Sequence, residues 1–123
     1  MRHIDLRIGR TTYPLCYSTN VDLAVAEKFG GIEQLGEIIA SDDNPLKKAE
    51  SLAWIISQML EAGMRYMNLI GEATPAAYPE EYALRNLLSR ADMMTTVIAC
   101  IRAGSEREVD VEPPKNAMAT GGA

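Results

Sequence analysis

Few residues in this chain can do chemistry. His3 is the only histidine, and Cys16 and Cys100 are the only thiols. A zinc site needs converging Cys, His or carboxylate ligands. The cysteines have no CxxC spacing, so no metal is expected. A nucleophile needs a base and a group to orient it, and one imidazole leaves only a Cys/His pair. Cys16 falls in a strand pattern and Cys100 in a helical stripe, where reduced, buried thiols are expected. The stretch "GGIEQLG" lacks the Gly-Lys-Ser/Thr ending of a phosphate-binding loop. Asp42-Asp43 and Glu80-Glu81 stand at expected helix starts, where carboxylates favour the helix dipole. The chain is therefore expected to be no enzyme, with no catalytic residues, no cofactor and no metal.

Charge narrows the partners. The 123 residues carry a net charge of −5, and no basic run exceeds Lys47-Lys48. A groove for phosphates needs clustered Lys and Arg, so nucleic acid is disfavoured. No fully apolar run is longer than "LAWII", which is far short of a membrane span, and "MRHIDLRIGR" has no apolar core of a signal peptide. A cytoplasmic location without membrane contact is expected. The apolar fraction of 47% fits a globular protein, and a chain of this length suggests one domain.

The elements that would position any site follow from periodicity. Ile4, Leu6 and Ile8 alternate with Asp5 and Arg7, and Tyr13, Leu15 and Tyr17 alternate again after a turn at Gly9-Arg10-Thr11. This predicts a β-hairpin with one apolar face, with Pro14 restricting its strand to an edge or an end. Ser18, Thr19 and Asn20 are N-cap candidates for a helix with Val21, Val25 and Phe29 on one face. Gly30 suits the left-handed residue that ends it, and "IEQLGEIIA" starts a second helix bearing Ile32, Leu35, Ile38 and Ile39. Phe29 and Ile32 are expected to anchor this corner in the core.

Asn44 and Pro45 can open the next helix. Its stripe of Ala49, Leu52, Ala53, Ile56 and Leu60 is widened by Trp54, Ile55 and Met59, which predicts a central helix packed on two sides. It stops at Gly63 or continues to Gly71. A short helix over "EEYALRNLLSR" follows, with Tyr82, Leu84, Leu87 and Leu88 apolar. A last helix, with Asp92 as its cap, carries a stripe of Met94, Val97, Ile98 and Ile101 and ends at Gly104. The fold class is thus α+β and mostly helical: an N-terminal hairpin packed on a bundle of about five helices. Residues 1–104 form the globular domain. Residues 105–123, polar and then rich in Pro, Gly and Ala, are expected to be a disordered tail.

The order of parts resembles the tail assembly chaperones of long-tailed, siphovirus-type bacteriophages and prophages. In that family an N-terminal hairpin carries a Gly, then an aromatic and a Leu, as Gly9, Tyr13 and Leu15 stand here. A helix then ends with an acid, an aromatic and glycine, as Glu27, Phe29, Gly30 and Gly31 stand here. An apolar helix with a Trp follows, matching Ala53-Trp54-Ile55 and an ending at Glu61-Ala62-Gly63. The resemblance spans Arg7 to Ala103; its second half matches mainly in helical pattern.

The resemblance implies an interaction protein of the host cytoplasm, absent from the mature virion. Its partner would be the phage tape measure protein, whose long apolar helices it keeps soluble while tail tube subunits polymerise. Binding would be helix-in-groove, with Leu35, Ile39, Met64 and Met67 near the groove. The methionines suit core filling or an adaptable partner surface, and Met94 fits its helix stripe. Family members are often also made in a longer, frameshifted form. Here Pro114-Lys115-Asn116 is compatible with a slippery heptamer in the message. Two alternatives stay open: a structural virion component, such as a tail or head-tail joining subunit, and an antitoxin-like adaptor. Monomer, dimer and ring are all compatible with the sequence.

Overall fold

The structure is a computed structural model that describes residues 3–106. The expected tail beyond Glu106, and the Pro114-Lys115-Asn116 stretch within it, lie outside the described residues. Among these residues the chain forms two strands and five helices, an α+β and mostly helical fold. Strands β1 (His3–Ile8) and β2 (Thr11–Cys16) pair antiparallel through a tight turn at Gly9-Arg10. Leu6 faces Tyr13 and Ile4 faces Leu15 across the pair, which puts the apolar residues on one face. Both strands of a two-stranded sheet are edges, and Pro14 is tolerated there.

Helix α1 (Thr19–Phe29) starts at Ser18, whose Oγ accepts from the Val21 N–H at 3.3 Å. It ends at Gly30, whose φ of 97° is left-handed and whose N–H donates to the Ala26 carbonyl. Gly31, at φ 155°, turns the chain into α2 (Ile32–Ala40). Neither backbone conformation suits a residue with a Cβ, so the double glycine is a corner between two helices. Phe29 packs half-buried, its ring edge-on to Trp54 at 5.4 Å between centroids, and Lys28 Nζ lies 5.2 Å from the Trp54 ring centroid. Ile32, by contrast, is exposed and does not anchor the corner in the core.

Helix α3 (Pro45–Leu69) is the spine. Asn44 caps it, accepting from the Lys47 N–H at 3.1 Å. Asp42 is drawn instead into a 3.0 Å ion pair with the largely buried Lys48. The helix does not end at Glu61-Ala62-Gly63. It runs on to Leu69 and closes on Gly71, with the Gly71 and Glu72 N–H groups donating to the carbonyls of Asn68 and Met67. These two bonds satisfy carbonyls that would otherwise be orphaned at the helix end. Gly63 instead lets α3 cross β2 in close contact, because a Cβ there would overlap the Pro14 carbonyl. Leu52, Ile55, Ile56, Met59 and Leu60 are all fully buried, so α3 is packed on more than one side.

Helix α4 (Glu81–Leu87) is capped by Glu80, whose carboxylate accepts from the Tyr82 and Ala83 N–H groups. Only Leu84 of its apolar residues is buried; Tyr82 and Leu87 point outward. Helix α5 (Arg90–Gly104) is capped by Ser89, not Asp92: the Ser89 Oγ accepts from the Asp92 N–H at 3.0 Å. Its buried stripe is Met93, Val97 and Cys100. Thus Met93 takes the place expected for Met94, and Ile98 faces out. α5 is apolar on two faces, and the face chosen by the hairpin and α3 is the one beginning at Met93.

Candidate functional site

Among the described residues, the closest approach to a catalytic set lies on the outer half of the hairpin. Register puts Cys16 opposite His3, and His3 Nε2 lies 3.6 Å from Asp5 Oδ1. These are the residue types of a thiol nucleophile, a base and its orienter. The geometry defeats the chemistry, because the Cys16 residue is wholly buried and offers no path for a substrate. Cys100 is buried as well, and desolvation, followed by the neighbouring Cys16, pushes its thiol up to about 12. Such a thiol carries almost no thiolate near neutrality and is inert. Among the described residues no three His, Cys, Asp or Glu side chains come together as metal ligands. No helix of the described residues is long and apolar enough to cross a membrane.

Surface clefts are the other candidate sites. One lies between α2 and α5 and holds about 280 Å³. It is lined by Ile32, Leu35, Gly36, Ile39, Ile98 and Ile101, and its one charged lining residue is Arg102. Leu35 (0% exposed) and Ile39 (9%) form its floor, while Ile32 (38%) and Ile98 (40%) stand at its rim. Helix α2 packs on α1 and α3, and α5 packs on α3 and the hairpin, so the cleft is where these two layers fail to close on each other. The volume falls just under the roughly 300 Å³ at which small-molecule sites begin, and the walls lack the converging polar groups such sites carry. Its character suits aliphatic side chains of another protein.

A larger cleft of about 760 Å³ runs between the start of α1 and the second half of α3. Its walls include Asn20, Gln58, Glu61, Arg65 and Asn68, and Arg65 already pairs with Glu61 at 3.1 Å. That cleft is mixed in polarity and partly satisfied by its own side chains, so the smaller apolar cleft is the better candidate.

The structure therefore divides the four expected contact residues. It brings Leu35 and Ile39 together as the cleft floor, more buried than a contact surface requires. Met64 and Met67 stay half-buried on α3 and line neither cleft. Ile32 and Ile98, assigned to the core from sequence, are exposed and make the cleft accessible, whereas Ile101 packs half-buried against the core while lining the cleft. The available signal was the second apolar row of α5, Met94, Ile98 and Ile101, beside the row that is buried. Comparison with protein-family models, curated proteins and solved structures yields no match.

Proposed function

We propose that this protein is a tail assembly chaperone of a long-tailed phage or prophage, acting without catalysis in the host cytoplasm. Its client is the tape measure protein, and its task is to cover apolar helical surface until tail tube subunits enclose it. The observation that carries this reading is the apolar cleft between α2 and α5, rimmed by exposed isoleucines on an acidic protein. Support also comes from the hairpin, the Gly30-Gly31 corner and the Trp54 helix, which stand in the order of that family. The acidic surface suits a chaperone that must keep an apolar client dispersed.

Co-expression with the tape measure protein from the same tail gene cluster tests this. The client should be soluble with the chain and aggregate without it. Ile98→Asp and Ile32→Asp, both at exposed positions, should leave the fold intact and lose most of the rescue. Equal client solubility with and without the chain would refute the chaperone role. Abundance of the chain in purified particles, measured by mass spectrometry, would favour a structural virion component instead.

A further inference from the structure

Gly36 has no internal explanation. It sits in the middle of the nine-residue helix α2 with an ordinary helical backbone. Glycine there is unfavourable relative to alanine. Elsewhere in this protein a helical glycine is matched by close packing: a Cβ at Gly63 would strike β2, and one at Gly104 would lie 2.9 Å from the Tyr17 Cβ. A Cβ at Gly36 meets nothing within 4 Å. The open space it faces belongs to the α2/α5 cleft, whose wall Gly36 forms between Ile32, Leu35 and Ile39. Glycine serves where another backbone must come close, and in the isolated chain nothing does.

The charges beside the cleft differ between its two walls. Glu33 and Glu37 follow Ile32 and Gly36 by one position, about 100° round the helix, and both are exposed. The α5 wall ends instead in exposed Arg102. Two carboxylates thus lie one position round the helix from one wall, and a single guanidinium edges the other.

We propose that the cleft takes an amphipathic helix of the client, laid so that its backbone approaches α2 at Gly36. The occupant has an aliphatic stripe with a small residue facing Gly36. It carries Lys or Arg along the edge that meets Glu33 and Glu37, and Asp or Glu along the edge that meets Arg102. The two charged edges fix the direction in which it lies, since reversal would set like charges against each other. This inference rests on the chaperone reading and specifies the client surface that reading requires.

The test uses the full chain and two synthetic helical peptides with a Leu/Ala stripe. One has a Lys edge and a Glu edge; the other has Glu on both edges. Anisotropy titration should show the first peptide binding more tightly, by several-fold at low salt and less at high salt. Gly36→Ala should raise the melting temperature of the free chain by about 4–8 °C and weaken binding about tenfold or more. Binding unchanged within twofold in Gly36→Ala overturns the proposal. So does equal binding of the two peptides, or a concentration-dependent dimer abolished by Gly36→Ala, which would make a second copy the occupant. Co-expression separates the two failures. If Gly36→Ala still keeps the tape measure protein soluble as well as the original chain does, the cleft assignment falls and the chaperone role stands. If the original chain fails to keep it soluble, the chaperone role falls while the peptide titration still decides the cleft.

Discussion

Gly63→Ala should destabilise this protein although it replaces a poor helix residue with the best one. In an exposed helix interior the change would gain about 1 kcal/mol. At Gly63 the new Cβ would overlap the Pro14 carbonyl oxygen and lie 2.8 Å from the Leu15 backbone nitrogen. Both are main-chain atoms of a paired strand, so no side chain can swing aside. Relief requires α3 and β2 to move apart, which opens the core cluster to which they contribute Leu15, Met59 and Leu60, all fully buried. Overpacking of well-filled interiors costs about 1–3 kcal/mol, and contact between two backbones belongs at the upper end. Less the gain in helix propensity, the net loss is about 2 kcal/mol, or a fall in melting temperature of about 8–16 °C for a domain of this size. Urea unfolding followed by circular dichroism measures it, with Gly36→Ala as an internal control of opposite sign. A Gly63→Ala midpoint at or above that of the original chain would show that close approach to β2 is not the reason for the glycine.

Two further outcomes follow from caps and buried ionisable groups. Ser89→Ala removes the acceptor for the Asp92 N–H and should cost about 1 kcal/mol; Asp92→Asn, which weakens only a dipole contact, should cost less in the same urea assay. Stability should also decline in alkali. Burial raises the Cys100 thiol from 9.0 to about 12, and burial together with the hydrogen bond to Asp22 raises the Tyr17 phenol. The unfolded chain therefore releases these protons first, so this contribution is whole below about pH 9 and is lost as pH climbs toward 12. Urea midpoints should fall from about pH 9 upward, and Cys100→Ala should shift the onset toward the tyrosine range; a flat profile in the original chain would contradict the burial of Cys100 and the half-burial of Tyr17.

Much of the fold could be read from local pattern because local pattern suffices for it. The alternation in Ile4, Leu6 and Ile8 commits one face of a strand, and Gly30 permits a left-handed turn whatever lies around it. Asn44-Pro45 opens a helix by satisfying its own first N–H groups, which again needs no distant partner. The sequence by itself thus determined the hairpin, the corner, the central helix and the scarcity of reactive groups.

Only the tertiary structure decided which apolar residues remain at the surface. Helix α5 carries two adjacent apolar rows, and periodicity cannot choose between them. Packing of the Met93, Val97 and Cys100 row on the spine turned Ile98 outward and made one wall of the cleft. The same holds for glycine. Gly36 and Gly63 look alike as interruptions in helical stretches, yet one abuts the Pro14 carbonyl and the other faces open space. Sequence records that a Cβ is missing; what would have met that Cβ depends on residues far away in the chain, and only the folded arrangement brings them to the place.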